Sequence, residues 1–474
     1  MAQVPSSQNA PNGQSTPVGL TMPIGQGAPI GQGTPTGQGG PAGQGAPDTP
    51  SGRNAPNGQG GADAPRAPIG PARRLFGGSE TPGATRPRSL DALVSVSGAY
   101  DDDLGADKTG ASLSGVRQAG QYQDVDTSLS FVHSQPRFGL TARTDGGVRH
   151  YPAVSDFIGS NFTAGATVTG RVSRLTSLRA HVDGYHVSTR AFDTLSRRSP
   201  LDGGSPTPVP IQDASVNWTT GSFGASADLE RALGTKSSFG LGYGARAGNG
   251  PFIGEHGRDQ TVTSQVGHRI SPDTELVAMY AFRAGEQFLV SGARTSGTQD
   301  AQLGVEHQWR ASAVKRTTLH VSGGPSFIAE SSARRSGERA HLTRWVGGVA
   351  LTHEDVQRWS LQASYRRGAG LRDTVTFSDT ATLDVRAWLS RRVDVTVSAG
   401  YSDGDMAVEL SQDELTTGFG TAKVQVGLTR SVALYGQSFL YHYVRQGAVP
   451  LPLTPRQIDR RGIRGGLILW LPVR

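Results

Sequence analysis

The chain has 474 residues, of which 35% are hydrophobic, with 65 glycines and 28 prolines, poor material for a conventional close-packed core of that size. It holds no cysteine, which excludes disulfides, thiol nucleophiles and thiolate metal sites. A formal charge of +7 is the small excess of 46 basic over 39 acidic side chains, with four lysines and no basic run longer than two, so no phosphate track and no nucleic-acid partner is expected. No run of apolar residues is long enough for a transmembrane helix, while a mean hydropathy of −0.36 remains compatible with strands that are apolar on one face only.

From Met1 to about Arg88 there is no hydrophobic periodicity, and Pro23 to Ala46 reads as four copies of a P-x-G-Q-G-x hexapeptide. Such a segment buries too little apolar surface to offset its ordering entropy, so residues 1–89 are expected to be a disordered tail. Collagen is excluded because glycine falls at the third and fifth places of each copy instead of at every third residue. The start, "MAQVPSSQNA", has neither a basic n-region nor an apolar stretch, and the expectation for an exported protein is that a leader has been removed.

After Leu90 the apolar period becomes two and stays there. "TSLRAHVDGYHV", Thr176 to Val187, sets Leu178, Ala180, Val182 and Gly184 against Arg179, His181, Asp183 and Tyr185. Val393, Val395 and Val397 alternate with Asp394, Thr396 and Ser398; Val424 and Val426 alternate with Lys423 and Gln425. About eighteen such segments are predicted, near residues 90–103, 121–134, 137–151, 161–174, 176–189, 213–232, 237–249, 257–271, 274–287, 296–311, 316–329, 339–354, 357–369, 376–390, 392–404, 415–429, 431–445 and 457–472. A phase change near Thr219 to Ser222 is read as a β-bulge. Spacers such as "SQPR", "LGTKS", "SPDT" and "SRRVD" are short. Asp101 to Gly120, Arg190 to Asp213, Ser402 to Glu414 and Gln446 to Pro455 are longer.

An even number of two-faced strands with turns sorted by length predicts an all-β fold, a transmembrane antiparallel up-and-down β-barrel over residues 90–474, with both ends in the periplasm. Tyr100, Tyr151, Trp359, Tyr365, Tyr401 and Trp470 stand near strand ends and suit aromatic girdles at the two membrane interfaces.

"TDGGVRHYP" (Thr144 to Pro152), followed by "SNFTAGATVTGRVSRLTSLRAHVDGYHVS", resembles a poorly characterised family of Gram-negative outer-membrane β-barrels, porin-like, some encoded near exopolysaccharide-export genes. The resemblance covers Leu90 to Arg474 in pattern and implies a lumen, passage of solute or polymer, and no catalytic residues. Such barrels end on an aromatic residue read by the insertion machinery. This chain ends "LILWLPVR", and Trp470 is expected to take that role.

The expected function is that of an outer-membrane channel for passive passage of small hydrophilic solutes or an exported polysaccharide; the alternative is a non-conducting structural or adhesive barrel. The partners expected are outer-membrane lipid and lipopolysaccharide, the barrel-insertion machinery and a polysaccharide-export apparatus. The predicted pore-lining side chains are Arg143, Arg171, Arg179, Asp183, Glu306, Arg366, Asp384, Arg386, Arg392, Asp394 and Lys423, together with Asp126. Basic rings favour anions in a pore, whereas charges that neutralise one another stiffen the wall. The proline-rich Arg190 to Asp213 segment is expected either to fold into the lumen or to stand outside it. His150, Asp156, His186 and Asp193 have the predicted height for an outer-rim hydrolase site, but isolated groups of this kind are ordinary strand and loop residues, and no enzyme is expected. "DDD" at Asp101 to Asp103 and "DGD" at Asp403 to Asp405 lack the spacing of a calcium loop, and no P-loop, dinucleotide or zinc signature occurs, so no cofactor or metal is expected.

Overall fold

A computed structural model describes residues 88–104, 119–152, 157–187, 221–249, 256–289, 292–312, 315–332, 339–355, 358–371, 375–406, 414–446 and 457–473. The tail, the Arg190 to Asp213 segment, Asp156 and Asp193 lie outside these residues.

All eighteen predicted strands are present: β1 Arg88–Asp101, β2 Gly120–Gln135, β3 Phe138–Tyr151, β4 Phe157–Arg171, β5 Thr176–Val187, β6 Gly221–Ala232, β7 Ser237–Asn249, β8 His256–Ser271 and β9 Thr274–Leu289. The chain continues through β10 Gly292–Ser312, β11 Lys315–Ser332, β12 Arg339–Asp355, β13 Trp359–Leu371, β14 Val375–Trp388, β15 Val393–Met406, β16 Glu414–Gly427, β17 Val432–Gln446 and β18 Gln457–Val473. Each pairs antiparallel with its neighbours in sequence, and β1 pairs with β18 from Leu90 opposite Val473 to Asp101 opposite Gly462, which closes the ring. Closure removes the sheet edges that hydrocarbon does not tolerate.

Strands of this length, rising ~3.3 Å per residue and tilted ~40°, cross a ~25 Å apolar band. The outer face supplies that band: Val96, Val125, Val148, Val182, Leu241, Val266, Leu303, Val321, Leu383, Val424 and Leu467 are all exposed. Residues of the opposite phase, pointing the other way, include buried Ser95, Asp124, Asp126, Arg149, Thr261, Asp394 and Arg464. Apolar outside and polar inside is the inverse of a soluble core and identifies a membrane-spanning barrel.

Several expectations are corrected. The expected bulge near Thr219 to Ser222 falls at the edge of the described residues, which resume at Gly221 where β6 begins; register shifts stand at Arg269/Ser271 and Arg310/Ser312, beside turns. The end carrying long connections also carries short ones, such as residues 290–291 between β9 and β10 and 372–374 between β13 and β14. Tyr100, Trp359, Tyr365 and Tyr401 are exposed on the outer face, as an interfacial girdle requires. Tyr151 is not part of it: its ring is buried on the inner face, 5.6 Å from that of Tyr122. Trp470 likewise turns inward, donating its indole N–H to Asp91 at 3.2 Å and packing on Ala433, Tyr435 and Ile468. The reason is the strict two-residue period: Leu467, Leu469 and Leu471 occupy the outer face of β18, which leaves Trp470 with Arg464 and Ile468 on the other.

Candidate functional site: the lumen wall

The inner face carries chemistry at the seam where the chain ends meet. Arg464 of β18 reaches over the small side chains of β1 to β2, with Nη1 donating to Asp124 at 2.9 Å and Nη2 to Asp126 at 3.0 Å. Its Nε donates to the Tyr435 hydroxyl at 3.0 Å. Arg149 of β3 binds Asp124 from the far side at 2.9 Å, and its guanidinium lies 4.5 Å from the Tyr122 ring centre. Nearer the loops, Arg460 of β18 holds Asp101 of β1 at 2.6 Å. These side chains are at most 6% exposed. Ser95, Ser97 and Ala99 on β1 are what let a guanidinium cross that strand; a longer side chain there would occupy its path.

Elsewhere on the wall charges also come in opposite pairs. Arg143 of β3 forks onto Asp145, two residues along the same face, at 2.7 to 2.9 Å. Arg246 of β7 binds Asp183 of β5 across the intervening strand, where Gly224 leaves the space, and His181 Nε2 lies 3.5 Å from the same carboxylate. Arg386 of β14 pairs with Asp394 of β15, and Arg316 of β11 with Glu354 of β12 at 3.2 Å. A wall of this composition is neither a basic ladder nor an acidic ring. It binds its own countercharges first.

The predicted lining residues are placed as follows. Arg143, Asp183, Arg386 and Asp394 are in the pairs above. Arg179 stands directly opposite Asp228, Asp384 opposite Gln362 and Ser398, and Lys423 opposite Thr396 and Gln437, all on the inner face. Glu306 is opposite Glu275 and His320, a local concentration of carboxylate towards the turn end. Arg171 ends β4 at the rim, and Arg392 is not on a strand at all: it stands in the turn before β15, its guanidinium 3.5 Å from the Leu428 carbonyl. The reading missed Arg149, Arg246, Arg460 and Arg464, although "VRHY", "GARAG" and "DRRGIRGG" place each of them in phase with the polar row of its strand.

Arg366 marks a second feature. Pairing of β12 with β13 stops at Gly347 opposite Arg367, and the upper end of the β13–β14 hairpin stands inside the ring. Arg366 there faces Arg283 of β9 and Asp300 of β10. Arg283 is 3.1 Å from Asp300 and donates to the Ala369 carbonyl at 3.3 Å. On the hairpin's other side Ala369 and Phe377 pack against Ile328 of β11 and Val346 of β12, and Arg344 lies 4.7 Å above the Phe377 ring. The wall therefore overlaps itself, with the tip of β13–β14 inside and the upper parts of β11 and β12 outside.

Of the residues weighed for catalysis, only His150 and His186 are among those described. His150 and His186 lie on the outer face of β3 and β5, out of phase with Arg149, Tyr151 and Tyr185. Asp101 and Asp403 are used structurally, accepting from Arg460 and Thr416 respectively. Among the described residues no group of three His, Asp or Glu side chains is arranged to hold a metal ion.

No protein-family model and no curated protein matches the sequence. In shape the chain is similar to OccK11 (OpdR) of Pseudomonas aeruginosa, at 10% identity and a TM-score of 0.39, over 82% of this chain and 96% of that one. OccAB4 of Acinetobacter baumannii has 8% identity and a TM-score of 0.40, over 83% and 100%. The ferric-catecholate import receptor Fiu of E. coli has 6% identity and a TM-score of 0.41, over 82% of each.

Proposed function

We propose that this barrel is a passive outer-membrane channel for small hydrophilic solutes, with its low-complexity N-terminal segment in the periplasm. One observation carries the reading: a closed ring of eighteen strands turns an apolar face outward and a polar, ion-paired face inward. Rings of this strand number enclose enough width for an aqueous passage. Both ends of the described chain lie at the turn end, the side that faces the periplasm in bacterial barrels. Because the wall neutralises most of its own charge, the expected ion preference is a weak one for anions. Passage of an exported polysaccharide, and an export apparatus as partner, rest on the family resemblance alone.

The test is reconstitution of the full chain in planar bilayers. Steady open steps support the proposal, their absence from correctly folded protein overturns it, and clear cation selectivity overturns the charge argument. Deleting Ser199 to Pro210 raises conductance if that segment enters the lumen and leaves it unchanged if it stands outside.

A second reading, a structural or adhesive barrel that does not conduct, is favoured by a different observation. On the inner face from β17 to β3, Tyr443, Asp101, Tyr122 and Tyr151 are at most 1% exposed, so this sector is dry. Recording from a chain that begins near Leu90 separates a filled lumen from an open one.

A further inference from the structure

Both edges at the interrupted β12–β13 seam continue as strand. β12 pairs with β11 up to Arg339 opposite Ser331, and β13 pairs with β14 up to Leu371 opposite Val375. Among the described residues, strand pairing across the seam ends at Gly347 and Arg367. We propose that the upper β13–β14 hairpin is a gate made from the barrel wall. Inside the ring, as here, it narrows the lumen; joined edge to edge with β12 it completes the wall and widens the passage. The proposal rests on the channel reading and concerns its regulation.

Three observations carry it. The register is ready: extending the existing pairing places Val346 opposite Gly368 and Trp345 opposite Ala369 without any slip. The alternation is written for the wall as well. Trp359, Leu361, Ala363 and Tyr365 lie on the outer face of β13, and the row runs on through Arg367 to Ala369; on β14 Phe377 and Asp379 precede Ala381 and Leu383 in the outer row, and Arg367 lies 3.9 Å from Asp379. At the tip the same row is buried instead, Ala369 at 4% and Phe377 at 3% exposure, against the inner face of β11 and β12. One face thus has two surroundings, outer side by phase and lumen side by packing.

The third observation is a line of glycines where the overlap begins. Gly304, Gly323, Gly324, Gly347 and Gly348 lie side by side on β10, β11 and β12. A Cβ on Gly324 would stand 1.8 Å from the Ala301 carbonyl oxygen, and one on Gly347 would stand 2.4 Å from the Ser322 carbonyl oxygen. Glycine permits both the close approach and the bend. Among the contacts that hold the tip inside are the apolar cluster of Ile328, Leu342, Val346, Ala369 and Phe377, Arg344 over the Phe377 ring and the Arg283 bond to the Ala369 carbonyl.

The absence of cysteine makes the test clean, since two introduced thiols have only each other as partners. Ile328→Cys with Phe377→Cys locks the inside position, and Trp345→Cys with Ala369→Cys locks the outside one; Val346→Cys with Gly368→Cys is a second outside pair should the first not fold. Heat-modifiable gel mobility of the full-length barrel reports folding, a shift under oxidant reports the cross-link, and planar bilayers report conductance. Expected are cross-links from both kinds of pair, a several-fold larger conductance when locked outside, and loss of the difference on reduction. Phe377→Ala, without any cross-link, is expected to raise the open fraction about tenfold. Failure of both outside pairs to cross-link in folded barrels that do form the inside pair overturns the proposal, as does equal conductance in the two locked forms. No current from any variant or from the parent chain overturns the channel reading instead, and the cross-links alone then decide whether the hairpin has two positions.

Discussion

Replacing Arg464 by alanine is expected to loosen the closure of the ring. Its guanidinium joins the last strand to the second one across the first, with bonds of 2.9 and 3.0 Å to Asp124 and Asp126. The arginine and both carboxylates are at most 6% exposed, so removing the cation leaves negative charge in a site that water does not readily reach. Breaking a buried pair in this way costs about 3–5 kcal/mol. Asp124 keeps Arg149 at 2.9 Å, which offsets part of the penalty, and a loss near the lower end, about 3 kcal/mol, is expected. Urea unfolding in detergent micelles, followed by tryptophan fluorescence and by heat-modifiable mobility, measures it. A cycle with Asp126→Asn isolates the pairwise part, which should fall between about 0.5 and 3 kcal/mol in favour of the pair. A loss below about 0.5 kcal/mol for Arg464→Ala, the scale of a solvated surface pair, would refute the assignment of this network as a dry clamp.

Face assignment can be tested at adjacent positions of one strand. Val182→Arg places charge in the apolar band and should cost about 2–4 kcal/mol, whereas His181→Arg, one residue away on the inner face, should cost under about 1 kcal/mol; equal penalties contradict the alternation. Single-tryptophan variants test the girdle. Trp345, 72% exposed on the outer face, should be quenched by brominated lipid, and Trp470, turned inward towards Asp91, should not. Gly324→Val forces a side chain into the Ala301 carbonyl and should abolish the folded gel band or shift the β10–β11 register, whereas Gly170→Val, where a Cβ meets nothing within 4 Å, should leave folding intact.

The two-residue period settles a local question, namely which side of its strand each residue occupies. That is why Leu178 and Arg179, or Val424 and Lys423, were legible as outer and inner residues, and why the strand count and closure followed from repetition and from the intolerance of hydrocarbon for open sheet edges. Tyr151 and Trp470 were misread because nearness to a strand end was weighed above phase, and Arg392 because β15 begins at Val393, one residue later than the pattern implied. Which charges meet is a different matter. Arg464 finds Asp126 and Arg246 finds Asp183 by crossing an intervening strand, and the stagger and tilt of the closed ring set those encounters, with no trace in either local sequence. The overlap at β12 and β13 belongs to the same class. The alternation of Ala369 and Phe377 specifies only a face; what that face touches was decided by where the glycine line lets the wall bend.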